Sequence, residues 1–269
     1  MAQHRAEGGG GVCDAVDARC AADVEDDGRR SVPGVPFALR PVTLVAGHYG
    51  AGKTTVALNL ALDAARAGIE VTLVDLDVVN PYFRSSEYRD VVEGRGVALI
   101  SPVFGEAGSS LDAPSLTGVL VPAVERAYEG RGVVIVDVGG DDVGSTALGR
   151  FASAVSAGDY DMLYVANRFR NLTQDPLDAL EILRDVEKAS RLRVTGVVGN
   201  GHLKADTDVE TAVSGARFAC EVAAAAQLPL RCSTVPQLLP QADLDDVAAQ
   251  VGNVSLYAVF PYVTTPWER

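Results

Sequence analysis

The chain has 269 residues, 48% of them hydrophobic, and a formal net charge of −13. That length and apolar content can bury one large core. The acidic balance argues against nucleic-acid binding and docking on anionic lipid, which both rest on clustered Lys and Arg. No run approaches the ~18 uninterrupted apolar residues of a membrane-spanning helix.

In chain order, residues 1–36 carry Gly8 to Gly11, the acidic run Asp23 to Asp27, and Pro33 and Pro36. Such a composition predicts a disordered or loosely packed N-terminal extension, with residues 37–269 forming one domain. No signal-peptide pattern opens the chain, and a cytoplasmic location is expected. From Pro41 onward apolar strands alternate with helical patterns. Strands are predicted over Val42–Ala46, Glu70–Asp75, Val97–Ser101, Val133–Val138, Met162–Ala166, Val194–Val198 and Leu230–Thr234. Helices are predicted near 53–67, 115–129, 145–156, 175–190 and 207–226. After Pro240 comes one more helical stretch, then a short ending from Tyr257 broken by two prolines, unsuited to an amphipathic membrane helix. Near-continuous Val/Leu/Ile strands belong to a parallel sheet covered on both faces. The expected fold is α/β: a single doubly wound, mostly parallel sheet with helices on both faces. Its ligand site should lie at the strands' C-terminal ends. Cys13, Cys20, Cys220 and Cys232 show no C-x-x-C spacing, and the last two read as buried thiols.

Gly47-His48-Tyr49-Gly50-Ala51-Gly52-Lys53-Thr54 fits G-x-x-x-x-G-K-[ST], between a predicted strand and a predicted helix that stops at Gly68. Glycines let backbone N–H groups curl around a phosphate, and the helix N-terminus adds partial positive charge. Lys53, one of only three lysines, would reach the β- and γ-phosphates, and the Thr54 hydroxyl would ligate Mg²⁺.

Carboxylates follow two of the strands. The second ends Val74-Asp75-Leu76-Asp77, then Val78-Val79-Asn80-Pro81-Tyr82-Phe83-Arg84. The fourth ends Val136-Asp137-Val138-Gly139-Gly140-Asp141-Asp142. An Asp at a strand's end can hold Mg²⁺ or orient the water that attacks a γ-phosphate. Glycines after Asp137 allow close backbone approach and movement.

On these residues the chain resembles the nucleotide-binding superfamily of ParA, MinD, the nitrogenase iron protein, and the cobyrinate and dethiobiotin synthetases. The resemblance covers roughly 41–240 and rests on the loop at 47–55, on Asp75-Leu76-Asp77, and on 137–142. It implies a loop ending Gly52-Lys53-Thr54-Thr55 and a catalytic Asp at Asp77. The strand-end Asp77 and Asp137 are, with Thr54, the candidate Mg²⁺ residues, and the resemblance casts Asp141 as an Asp coupled to γ-phosphate sensing. More narrowly, Gly-His-Tyr-Gly-x-Gly-Lys-Thr with Val-Asp-Leu-Asp-x-Val-Asn-Pro-Tyr-Phe-Arg is similar to a set of bacterial ATP-binding proteins of this superfamily.

Departures from the family qualify the expectation. ParA, MinD and the iron protein carry a second lysine where this chain has His48, and an imidazole is mostly neutral at pH 7. Arg84 is the other candidate cation for a nucleotide-dependent homodimer. The iron protein's cluster cysteine falls at Gly144, so an electron-transfer role is not expected. With only His4, His48 and His202 and no pair at ligand spacing, a transition-metal site has no support. No N-K-x-D sequence is present; Asn200 is the candidate adenine contact, whereas Asn167 reads as a turn residue. The expected ligands are therefore ATP and Mg²⁺, bound by residues 47–55 and Asn200. Two functions remain open. One is a slow ATPase whose loops at 77–90 and 137–150 report nucleotide state to a protein partner. The other is an ATP-dependent small-molecule kinase or ligase, with its acceptor in a pocket walled by 78–90 and 103–116.

Overall fold

The computed structural model describes residues 29–77, 85–101, 113–140, 142–201 and 206–263. Strands β1 (Val42–Ala46), β2 (Val71–Leu76), β3 (Val97–Ile100), β4 (Val133–Val138), β5 (Tyr160–Ala166), β6 (Gly196–Gly199), β7 (Leu230–Pro236) and β8 (Leu256–Val259) form one sheet. Their order is β3-β2-β4-β1-β5-β6-β7-β8, and every neighbouring pair is parallel. Strands preceding β5 lie on one side of β1 and later strands on the other. The carboxyl end of β1 is thus the switch point where a doubly wound sheet opens a crevice.

The helices are α1 (Lys53–Arg66), α2 (Arg89–Glu93), α3 (Ala113–Tyr128), α4 (Asp142–Gly149), α5 (Ala152–Val155), α6 (Pro176–Ser190), α7 (Val209–Ala226) and α8 (Gln241–Val251). A 3₁₀ turn at Ser85–Tyr88 precedes α2. Alternate strand residues feed two core layers. Val45, Leu73, Ile135 and Leu163 pack with Val56, Leu58 and Leu60 of α1. Leu44, Val74, Val136 and Tyr164 pack with Leu120, Leu183 and Phe218 of α3, α6 and α7. Cys220 and Cys232 are buried free thiols in separate layers.

Four local features differ from the sequence expectation. The helix predicted over 145–156 is two pieces, because Arg150 N and Phe151 N donate to Ala147 O and Leu148 O, three residues back, and close the first piece. β6 starts at Gly196, since Val194 N is spent on the Glu187 carboxylate. β8 lies at the start of the proline-broken ending, where no strand is predicted. It is fixed to α1 by the Tyr257 hydroxyl on Asp63 (2.7 Å) and by Asn59, which both donates to and accepts from the Phe260 backbone. Finally, Val32 and Val35, within the segment expected to pack loosely, are buried in the α1 layer, and Arg30 bridges Leu39 antiparallel.

Candidate phosphate-binding and switch site

β1 delivers the chain into the 47–52 loop, which turns directly into α1. Gly52, the N-cap of α1, has φ 95°, and no side chain caps the helix. Its first turn presents the backbone N–H groups that a helix N-terminus offers an anion. A Cβ at Gly52 would come within 2.0 Å of Asn200 Nδ2, so the position tolerates only glycine on two counts. Lys53 folds back over the loop, Nζ donating to His48 O at 3.1 Å.

Asn200 lies beneath the loop. It is 4% exposed; Nδ2 donates to Ala51 O (2.8 Å), and Oδ1 accepts from the Thr234 hydroxyl (2.6 Å). Its backbone N bonds Ala166 O. Asn200, the expected adenine contact, thus also ties β5, β6 and β7 to the loop. Asn167 is the turn residue expected, its Oδ1 accepting from Phe169 N.

Asp137, at the end of β4, is buried, as is Asp75, its register partner on β2. The Ser85 hydroxyl donates to Asp137 Oδ2 at 2.6 Å, and the Thr54 hydroxyl bonds the same carboxyl group. Asp137 Oδ1 is buried without a hydrogen-bond partner among the described residues. Burial pushes its pKa up to about 7, with the Asp75 charge adding to the rise; Ser85, Lys53 and Thr54 oppose it. A buried, half-satisfied carboxylate beside a threonine hydroxyl suits a hydrated Mg²⁺, which takes one or two carboxylates and keeps several waters. Thr54 and Asp137 fit that ion.

Asp77 is buried just beyond β2, its N–H donating to Asp75 Oδ1 at 2.9 Å. The ends of β2 and β4 abut, for a Cβ at Gly139 would lie 3.4 Å from Asp77 Cα. Gly140 sits against the phosphate loop itself: a Cβ there would lie 2.6 Å from Lys53 Nζ and 2.7 Å from Tyr49 Cα. At Gly144 a Cβ would come within 2.5 Å of Gly139 Cα, so a cysteine has no room there. Asp141, His202, Arg84 with the rest of 78–84, and 103–112 lie outside the described residues. Among the expected residues, the structure thus brings together Lys53, Thr54, Asp77 and Asp137.

Burial lowers the His48 pKa, and the Lys53 charge lowers it further, so this imidazole is neutral at pH 7. Three residues escaped the sequence reading. Asp75 lay inside a motif already noted, and its register with Asp137 is what gives it weight. Ser85 and Arg170 had no local signal; Arg170 reaches the loop from beyond β5, its Nε 3.4 Å from where a Gly50 Cβ would be.

A glycine loop joining β1 to α1, a lysine over it, and a strand-end aspartate bonded to the loop's threonine define a P-loop nucleoside-triphosphatase fold. Residues 42–214 match the family model described as the CobQ/CobB/MinD/ParA nucleotide binding domain. That is well over half of the chain, and the chain belongs to this family. No curated protein matches it. Among solved structures it is similar to the signal recognition particle 54 kDa protein of Aeropyrum pernix K1 in complex with GDP. The TM-score is 0.55 at 20% identity, covering 89% of this chain and 51% of that one, so the chain spans about half of that protein. It is also similar to the cell division protein FtsY of Thermotoga maritima (TM-score 0.53, 19% identity, 90% and 76% covered). FtsY of Elizabethkingia anophelis in complex with GDP gives TM-score 0.55 at 19% identity, with 90% and 70% covered. At such identity the likeness shows the fold. No helix among the described residues is long and apolar enough to cross a membrane.

Proposed function

We propose that this chain is a Mg²⁺-dependent ATP-binding protein and a slow, cytoplasmic ATPase whose loops after β2 and β4 report nucleotide state to a protein partner. The observation that carries this reading is the convergence on one carboxyl group. Thr54 from the phosphate loop and Ser85 from beyond the β2 loop both bond Asp137 at the root of the β4 loop. A change at Thr54 on nucleotide binding is thereby felt by both loops, the device of an ordered-versus-released switch. Mg²⁺, when bound, would neutralise charge on the phosphates. Lys53 and the loop amides would stabilise charge on the transferring phosphoryl group. Asp77 would position the attacking water, and Asp141 would follow the γ-phosphate. ATP rather than GTP is favoured by the missing N-K-x-D sequence.

A second reading, an ATP-dependent small-molecule kinase or ligase, draws support from His48. A neutral imidazole at the second-lysine position supplies no fixed cation for a nucleotide-driven homodimer. Calorimetric titration of ATP and GTP with Mg²⁺, phosphate release, and light scattering with a non-hydrolysable ATP analogue test both readings. ATP preference with slow turnover supports the switch, and phosphate transferred to a metabolite supports the enzyme. Unaltered ATP binding and hydrolysis in Lys53→Ala would sink the site assignment.

A further inference from the structure

At the end of α4 remote from the phosphate loop, a cavity of about 510 Å³ opens between α4, α5 and the end of α6. That volume is in the range of small-molecule sites. Its wall includes Arg150, Arg191, Thr146, Ser153, Ser156 and Gly149, and no carboxylate side chain among the described residues. Neither arginine forms an ion pair among the described residues. Each follows a helix's C-terminal end, where the helix dipole alone favours a cation. The dipole does not account for both lining one cavity together with three hydroxyls. Nor does it account for the lack of an acid there, in a chain with 36 acidic against 23 basic residues. Two guanidiniums around one cavity repel each other unless an anion lies between them, and their planar forks suit carboxylate or phosphate oxygens.

We propose that this cavity binds a small dianionic metabolite, carrying carboxylate or phosphate groups, and that its occupancy biases the β4–α4 loop. The coupling follows from the packing. α4 starts directly after the Gly139–Gly140 segment that touches Lys53 and Tyr49, and ends about 12 Å away, at eight residues of 1.5 Å rise. Its last residue, Gly149, rests on the end of α6: a Cβ there would lie 2.7 Å from Ala189 O. A ligand held by Arg150 after α4 and Arg191 after α6 spans that joint. It fixes the pose of α4, and through it the glycines at the phosphate loop. The coupling half rests on the nucleotide reading above; the binding half does not.

The test uses the full chain, saturated with ADP to occupy the phosphate loop, and titrates succinate and inorganic phosphate separately by calorimetry. At least one probe should bind at millimolar concentration or tighter, and Arg150→Ala/Arg191→Ala should weaken it tenfold or more. Both side chains are exposed, so the double variant should melt with the parent. Saturating probe should change the ADP dissociation constant at least threefold in the parent and leave the double variant unchanged. If neither probe binds, or the double variant binds equally well, the site is refuted. Probe binding with an unmoved ADP constant refutes the coupling. Failure of ADP to bind at all counts against the nucleotide reading, and the calorimetric arm then still decides the anion site.

Discussion

The Asp137 carboxyl group makes metal-dependent nucleotide binding a function of pH. Only its ionised form can serve a divalent cation. With the pKa pushed up to about 7, the ionised form gains as pH rises through neutrality. The Mg²⁺-dependent part of nucleotide affinity should therefore weaken from pH 8 to pH 6, by on the order of tenfold. Binding near neutral pH should release protons, read by calorimetry in two buffers of different ionisation enthalpy. Nucleotide phosphates titrate in the same range, so the decisive comparison is Ser85→Ala. The Ser85 hydrogen bond holds the Asp137 pKa down. Losing it should move the midpoint upward, which nucleotide protonation cannot do. A Mg²⁺ contribution that ignores pH, or a midpoint unmoved by Ser85→Ala, would show that Asp137 is not the titrating metal ligand.

The same shift acts on stability. Between about pH 4 and pH 7 the folded carboxyl keeps a proton that the unfolded one gives up, so apo stability declines as pH rises through that window. Asp137→Asn mimics the neutral form. It should melt higher than the parent at pH 8, by on the order of 1 kcal/mol or more, while losing the Mg²⁺-dependent gain in nucleotide affinity. Asp77→Asn should keep ATP binding but slow hydrolysis tenfold or more in single-turnover assays, and normal turnover would move the catalytic role elsewhere. Asn200→Ala strips the Ala51 carbonyl and the Thr234 hydroxyl of a buried partner. A loss of about 2–4 kcal/mol in chemical denaturation is expected, together with weaker nucleotide binding. Gly52→Ala meets both a left-handed backbone and the Asn200 amide, and should cost about 2 kcal/mol or more and at least tenfold in nucleotide affinity.

Much of this molecule was written locally. The β-branched runs at 42–46, 71–76 and 133–138 declare parallel strands, because buried strands have no solvent face to alternate with. The 47–54 loop is legible because backbone conformation demands glycine at fixed offsets and phosphate chemistry demands Lys and Thr. Asp77 and Asp137 follow from their place at strand ends. Contacts between distant segments were not legible. Ser85 reaches Asp137 across 52 residues and Asn200 reaches Ala51 across 149, and no local pattern distinguishes a serine or asparagine so engaged from one in a turn. β8 is a four-residue edge strand that pairs with β7 and is tied to Asn59 and Asp63 about two hundred residues earlier. The raised Asp137 pKa and the lowered His48 pKa are likewise tertiary facts. A sequence supplies the titrating group, whereas burial and the neighbouring charges, which the fold alone assembles, set its proton affinity.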